Sequence, residues 1–167
     1  KDIIKVLTGQ RRTGKSYLLY QLIDYLIKNN PQSNIIYINK ELSDFDFISN
    51  YEDLNSFVKK QTKRGNNYLF VDEIQDIEDF GKALRNLLAS GQYDIYCTGS
   101  NSQMLSGDIA GHLSGRFFEI KVYGLSFKEF LKFNQLENND GSLQKYMQFG
   151  SLPYLIHLDL KQNIILK

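Results

Sequence analysis

Ile3-Ile4-Lys5-Val6-Leu7-Thr8-Gly9-Gln10-Arg11-Arg12-Thr13-Gly14-Lys15-Ser16 joins a short apolar run to a complete Gly-x-x-x-x-Gly-Lys-Ser loop. Each fixed residue has its own physical job. Gly9 and Gly14 permit positive φ and close backbone approach, so consecutive N–H groups can surround phosphate oxygens. Lys15 brings positive charge to the β- and γ-phosphates, and the Ser16 hydroxyl is a suitable ligand for Mg²⁺. A helix opening here points its positive dipole end at the same anion. The candidate nucleotide-binding segment is thus Gly9, Gln10, Arg11, Arg12, Thr13, Gly14, Lys15, Ser16 and Tyr17. Arg11 and Arg12 occupy the variable positions, where phosphate contact and pairing with surface carboxylates are both open.

Outward from this loop the chain alternates strands with amphipathic helices. Ile3 to Thr8 reads as a strand buried on both faces of a parallel sheet. Leu18, Leu19, Leu22, Ile23, Leu26 and Ile27 recur at helical spacing, and Asn29-Asn30-Pro31 ends that helix. Ile35 to Ile38, Tyr68 to Val71, Tyr93 to Thr98 and Phe117 to Val122 read as further strands. Helices are expected around Tyr51 to Val58, closed by Arg64-Gly65-Asn66-Asn67, around Phe80 to Leu88, and from Ser102 to about Ala110. This alternation predicts an α/β fold, a right-handed parallel sheet with helices on both sides. Beyond Tyr123 the pattern changes. Ser126-Phe127-Lys128-Glu129 is a capping box opening a helix through Phe133, Asn138-Asn139-Asp140-Gly141 reads as a turn, and Leu143 to Phe149 as another helix. We therefore expect a core over 1–124 and the start of a helical subdomain over 125–167.

Composition narrows the function classes. Hydrophobic residues make up 42% of the 167 and charged ones 23%, the profile of an ordinary globular chain. A net charge of +1 gives no global electrostatic case for nucleic acid. The local basic stretch Lys59-Lys60 with Lys63-Arg64 fits cations at a helix C-terminus better than a binding patch. The sequence holds no run of 18 apolar residues, so no membrane span is expected. The lone Cys97 rules out an internal disulfide, sits at a buried strand position and fits a reducing cytoplasm. His112 and His157 are too few and too scattered for a metal site. The chain opens against a core strand and stops inside the apolar Ile164-Ile165-Leu166, which reads as a segment of a longer protein.

The second half of the site is Leu69-Phe70-Val71-Asp72-Glu73. Its apolar run carries Asp72 to the carboxyl end of a buried strand, where a Mg²⁺-directed carboxylate belongs. Glu73, one residue on, can polarise a water aligned with the γ-phosphate. The next strand ends in Thr98-Gly99-Ser100-Asn101, and either Ser100 or Asn101 could register the γ-phosphate or cap the following helix. Arg116 could reach a transferring phosphoryl group, in its own subunit or a neighbour's, or serve in an ion pair.

These elements resemble the AAA+-like and STAND-type P-loop ATPases. A closer resemblance is to a prokaryotic family labelled predicted AAA+ superfamily ATPases or ATP-binding proteins. It is carried by Thr8 to Ser16, Val71-Asp72-Glu73-Ile74-Gln75, Thr98-Gly99-Ser100-Asn101-Ser102, Leu113-Ser114-Gly115-Arg116 and Gly124-Leu125-Ser126-Phe127-Lys128-Glu129-Phe130. The resemblance implies a three-layer α/β/α P-loop NTPase with a five-stranded parallel sheet ordered 5-1-4-3-2. It also implies ATP as the nucleotide, and winged-helix and nuclease-like regions beyond Lys167. Two departures stand out: Leu125 replaces a turn proline, and Ser151 replaces a glycine in Phe149-Gly150-Ser151-Leu152-Pro153, a stretch that helps related ATPases sense nucleotide. The combined expectation is Mg²⁺-dependent ATP hydrolysis, slow in isolation, acting as a switch or motor. Lys15, Glu73, Asn101 and Arg116 would do the chemistry, and Ser16 with Asp72 would hold the metal. Partners would be a second copy of the chain, DNA or a protein. A non-hydrolysing binding module and a small-molecule kinase are the rivals, though the arginine-rich lid and acceptor pocket of the latter are not evident.

Overall fold

The structure is a computed structural model that describes residues 2–99, 111, 113 and 115–153. Two compact units emerge: Lys1–Gly9 with Lys15–Lys121, and Gln10–Gly14 with Val122–Lys167. In the first, β1 (Ile4–Thr8), β2 (Asn34–Asn39), β3 (Asn67–Asp72), β4 (Tyr93–Gly99) and β5 (Phe117–Lys121) form one sheet in the order β2-β3-β4-β1-β5. Every pairing is parallel. This is the expected 5-1-4-3-2 order read from the other edge.

Strand alternation sends successive side chains to opposite faces, and each face has its own helices. One face presents Val6, Ile36, Ile38, Leu69, Val71, Ile95 and Cys97 to Leu54 and Val58 of α2 (Tyr51–Gln61) and to Ala83, Leu84 and Leu87 of α3 (Phe80–Ala89). All of these are at most 3% exposed, so this is the main core. The other face carries an aromatic layer. Phe70 stacks on Tyr96 with ring centroids 5.0 Å apart, and Tyr37 meets Tyr20 of α1 (Lys15–Asn29) at 5.5 Å. Lys5 pairs with Asp94 and lies 5.0 Å from the Tyr96 ring centre, which gives the ammonium two favourable partners at once.

Element ends follow local chemistry. The Asn50 side chain accepts from the amides of Glu52 and Asp53, satisfying two donors that open α2. Lys59 and Lys60 close the same helix, where cations favour the dipole. The apolar stripe of α1 is narrower than its spacing predicts. Leu19 and Leu26 are buried, but Leu18 and Ile27 are 40% and 54% exposed, because a helix resting on a sheet by a single ridge buries only that ridge. The helix expected from Ser102 to Ala110 lies outside the described residues.

The second unit contains α4 (Phe127–Phe133) and α5 (Asp140–Phe149). Ser126 and Glu129 form the expected capping box at the start of α4. By contrast, α5 begins earlier than Leu143. The Asn139 side chain accepts from the Ser142 amide at 2.9 Å and caps the helix, so Asp140 and Gly141 form its first turn instead of a loop. Tyr146 joins the two helices, with its ring 5.2 Å from that of Phe130 and its hydroxyl donating to the Leu125 carbonyl at 2.8 Å. The Ser151 substitution fits a tight approach here. A Cβ on Gly124 would stand 2.3 Å from Ser151 Oγ and 2.9 Å from the Ser151 backbone carbonyl, so position 124 has no room for a side chain.

Candidate functional site

The loop after β1 is built on backbone that most residues avoid. Gly9 has φ 147°, Gly14 φ 96° and Arg12 φ 68°. Within Gln10–Gly14, the Thr13 hydroxyl and amide both donate to the Gln10 carbonyl, at 2.8 and 3.4 Å, closing a tight turn. Gln10, Arg11 and Arg12 are exposed, whereas Thr13 is buried. Lys15 opens α1 with only 4% exposure, and its ammonium donates to the Gly9 carbonyl at 3.0 Å. Ser16 follows, half-buried, and the Tyr17 side chain is 67% exposed to solvent.

Strand register brings the acidic pair to the same end of the sheet as Gly9. Thr8 lies beside Gly99 of β4, and Cys97 of β4 lies beside Val71 of β3, so Thr8, Gly99 and Asp72 end adjacent parallel strands, with Thr98 one residue before the end of β4. Asp72 is fully buried and Glu73 is 7% exposed. The Thr98 hydroxyl ties them together. It donates to Asp72 Oδ1 and accepts from the Glu73 amide at 3.0 Å. Tyr37 gives its own proton to Tyr20, 3.0 Å away, and Asp72 Oδ2 is left buried without a hydrogen-bond partner. Burial above all, then the Tyr20 hydroxyl, the nearby Asp72 charge and a weaker contact with the Asp72 carboxylate, raise the Tyr37 phenol far above its usual range, so it stays neutral; its single proton goes to Tyr20 and not to Asp72 Oδ2.

An orphaned, buried carboxylate oxygen is costly and calls for a cation or a water. Asp72 Oδ2 is therefore an oxygen of the kind Mg²⁺ accepts, an ion that takes one or two protein oxygens and draws its remaining ligands from water and phosphate. Among the described residues no cluster of three or more His, Cys, Asp or Glu could hold a metal unaided.

Glu73 sits in the left-handed region at φ 55°, ψ 55°, a conformation that costs a non-glycine residue free energy. Its carboxylate accepts from Gln75 Nε2 at 2.5 Å, while Gln75 Oε1 is buried and unpartnered. Thr98 and Gln75 are the residues that sequence reasoning missed as members of this cluster. Strand alternation held a signal for Thr98, since Asp94, Tyr96 and Thr98 share one face of β4. Nothing in the pattern pointed to Gln75.

The other expected site residues are not gathered here. Ser100 and Asn101 lie outside the described residues. Arg116 is exposed, and its carbonyl accepts from the Ile4 amide at 3.0 Å, which fixes it at the amino end of β1. Gly9 follows the opposite end of that strand. Four residue steps from Ile4 to Thr8 separate the two, about 13 Å at the usual rise per residue.

Residues 1–131 match the model of a family described as AAA domain. An uncharacterized protein of Haemophilus influenzae is 38% identical over 173 residues, covering 98% of this chain and 43% of the relative. An uncharacterized protein of Methanocaldococcus jannaschii is 36% identical over 181 residues, covering 97% and 39%. The chain thus spans about two-fifths of the length of the curated relatives it matches. Among solved structures, the closed state of Saccharomyces cerevisiae Hsp104 with ATPγS and casein superposes with a TM-score of 0.63 at 17% identity, covering 92% of this chain and 33% of that one. At that identity the likeness concerns the fold alone. Among the described residues no helix is long and apolar enough to cross a membrane.

Proposed function

The chain belongs to the AAA domain family, and from that premise we propose that it binds ATP with Mg²⁺ and hydrolyses it, as a switch or motor for attached domains or partners. The observation that carries this reading is the buried, unpartnered Asp72 Oδ2, on a strand end two strands from the one that leads into the phosphate loop. Lys15 and the loop amides bind the phosphates. Ser16 and Asp72 would hold Mg²⁺, which when bound neutralises charge on the β- and γ-phosphate oxygens. The Glu73 carboxylate orients a water and accepts its proton as the oxygen attacks phosphorus. Either Ser100 or Asn101 would contact the γ-phosphate. Arg116 completes the transition-state contacts, and its backbone position at the amino end of β1 supports action on a neighbouring copy over its own subunit, which makes hydrolysis slow when the chain is alone. The partner is a second copy of the chain, together with DNA or a protein.

The test is phosphate release by wild type and Glu73→Gln, with ATP affinity measured in parallel. The variant should bind ATP as the wild type does and release no phosphate. Equal release by both would remove Glu73 from its role. Tight binding without turnover by the wild type would instead make the domain a nucleotide-dependent binding module. Phosphate appearing on an added acceptor would make it a kinase.

A further inference from the structure

We propose that Thr98 is a positioning residue for the nucleotide site, acting through Asp72 and Glu73 and not by touching nucleotide. The inference rests on the ATPase reading above and deepens it. Thr98 is fully buried in β4, the strand between β1 and β3, so its hydroxyl has no access to solvent. One hydroxyl makes two contacts in opposite senses. Its proton goes to Asp72 Oδ1, and its lone pair receives the Glu73 amide at 3.0 Å.

The consequences differ for the two partners. On Asp72, the donated bond occupies Oδ1 and limits rotation of the carboxylate, while the other oxygen, Oδ2, accepts no hydrogen bond. A carboxylate without that anchor could rotate and present either oxygen, or neither. On Glu73, the accepted bond holds the amide that follows the last residue of β3, at the point where the backbone enters a left-handed turn. That conformation persists only where surroundings over-determine it, and the Thr98 hydroxyl is one of the groups that do so. A single side chain thereby fixes the orientation of the metal-directed carboxylate and the path of the backbone bearing the candidate base. Outer partners that orient metal ligands in this way are typically worth about 10–100-fold in metal affinity or activity.

The hydroxyl, not the bulk, is the active element, and substitution separates the two. Thr98→Val keeps the shape and removes donor and acceptor together; Thr98→Ser keeps both and trims a methyl. Two quantities are measured on the full chain: the gain in ATP affinity on adding Mg²⁺ to metal-free protein, and the rate of phosphate release. Thr98→Val should lose about tenfold of the Mg²⁺-dependent gain and about 10–100-fold in kcat, with metal-free ATP affinity unchanged. Thr98→Ser should restore both to within about threefold of wild type. Should the valine variant not fold, Thr98→Ala removes the same hydroxyl without adding volume and enters the same comparison.

Wild-type values in the valine or alanine variant overturn the proposal, as does a serine variant as impaired as valine. If the wild type binds Mg²⁺-ATP more tightly than ATP alone but releases no phosphate, the hydrolytic reading falls, and the Mg²⁺-dependent gain alone still decides on Thr98. If the wild type shows no such gain, Asp72 is not a metal ligand and both readings fall together.

Discussion

The Lys15 ammonium donates to the Gly9 carbonyl at 3.0 Å, so the last charged residue of the phosphate loop is hydrogen-bonded to its first glycine. With 4% exposure this charge has little water around it, and incoming phosphate must draw it from one acceptor to another. The exchange favours phosphate because an anion is a stronger acceptor for ammonium than a carbonyl. Lys15→Ala should therefore weaken ATP binding by about 10–100-fold, the worth of a charge-assisted hydrogen bond of about 1.5–3 kcal/mol. Titration calorimetry on both proteins checks it, and an unchanged Kd would remove Lys15 from the nucleotide site.

Glu73 pays for its place with backbone strain. At φ 55° a glutamate lacks the freedom of glycine, and the left-handed region costs an ordinary residue about 1–2 kcal/mol. Glu73→Gly should be more stable than Glu73→Ala by about 1 kcal/mol, since both lose the carboxylate and only glycine relieves the strain. Chemical denaturation of the two variants measures the gap. Alanine equalling glycine would mean that position 73 is unstrained.

The same residue shows where sequence reading reaches its limit. The placement of Asp72 is legible because an apolar run ending in an acid reads as a buried strand presenting that acid at its tip, whereas the strand order comes from the family resemblance and not from the pattern. Helix ends at Asn50 and Ser126 were equally open to reading in principle, because capping is local chemistry. The Ser126 box is plain in the sequence, whereas Asn-Asn-Asp-Gly suits a loop as well as a cap, so the cap at Asn139 is not. The left-handed turn at Glu73 was not legible, since glutamate does not advertise positive φ. The Thr98 bridge required knowing that β4 lies beside β3, a non-local fact. Spacing alone gives no sign that Gln75, two residues on, turns back to donate to the Glu73 carboxylate.

Asn50 offers a stability test remote from that cluster. Its side chain accepts from Glu52 N at 2.9 Å and Asp53 N at 3.1 Å. Asn50→Ala leaves both donors without this acceptor at the start of α2 and should cost about 1 kcal/mol, while Asn50→Asp should restore most of it. Thermal melts of the three proteins decide the matter, and a silent alanine variant would show that water caps the helix equally well.

Cys97 gives a pH dependence with a definite sign. Burial in β4 pushes its thiol from 9.0 up to about 12, because the thiolate would have no solvent. Between these values the unfolded chain has released the proton and the folded one has not. Fewer protons are bound in the unfolded state, so stability falls as pH rises from 9 toward 12 and is unaffected below 9. Cys97→Ala should flatten the first part of that decline, and native Cys97 should resist alkylation at neutral pH. Prompt modification by iodoacetamide without unfolding would contradict the burial argument.

Arg116 carries the prediction that tests assembly. Its backbone is tied to Ile4 at the amino end of the sheet, about 13 Å along β1 from the residue that leads into the phosphate loop. The proposed role of Arg116 in a neighbouring copy rests on that separation and on its exposure. Arg116→Ala should then lower phosphate release by about 10³-fold or more, the usual worth of an arginine supplied to a transferring phosphoryl group. Glu73→Gln is inactive for a different reason, because it keeps Arg116 and lacks the base. Mixing the two inactive proteins pairs an intact base in one copy with an intact arginine in the other, and phosphate release should rise about tenfold above the sum of the separate rates. No rise on mixing, with each variant shown to bind ATP, would place Arg116 in a structural role.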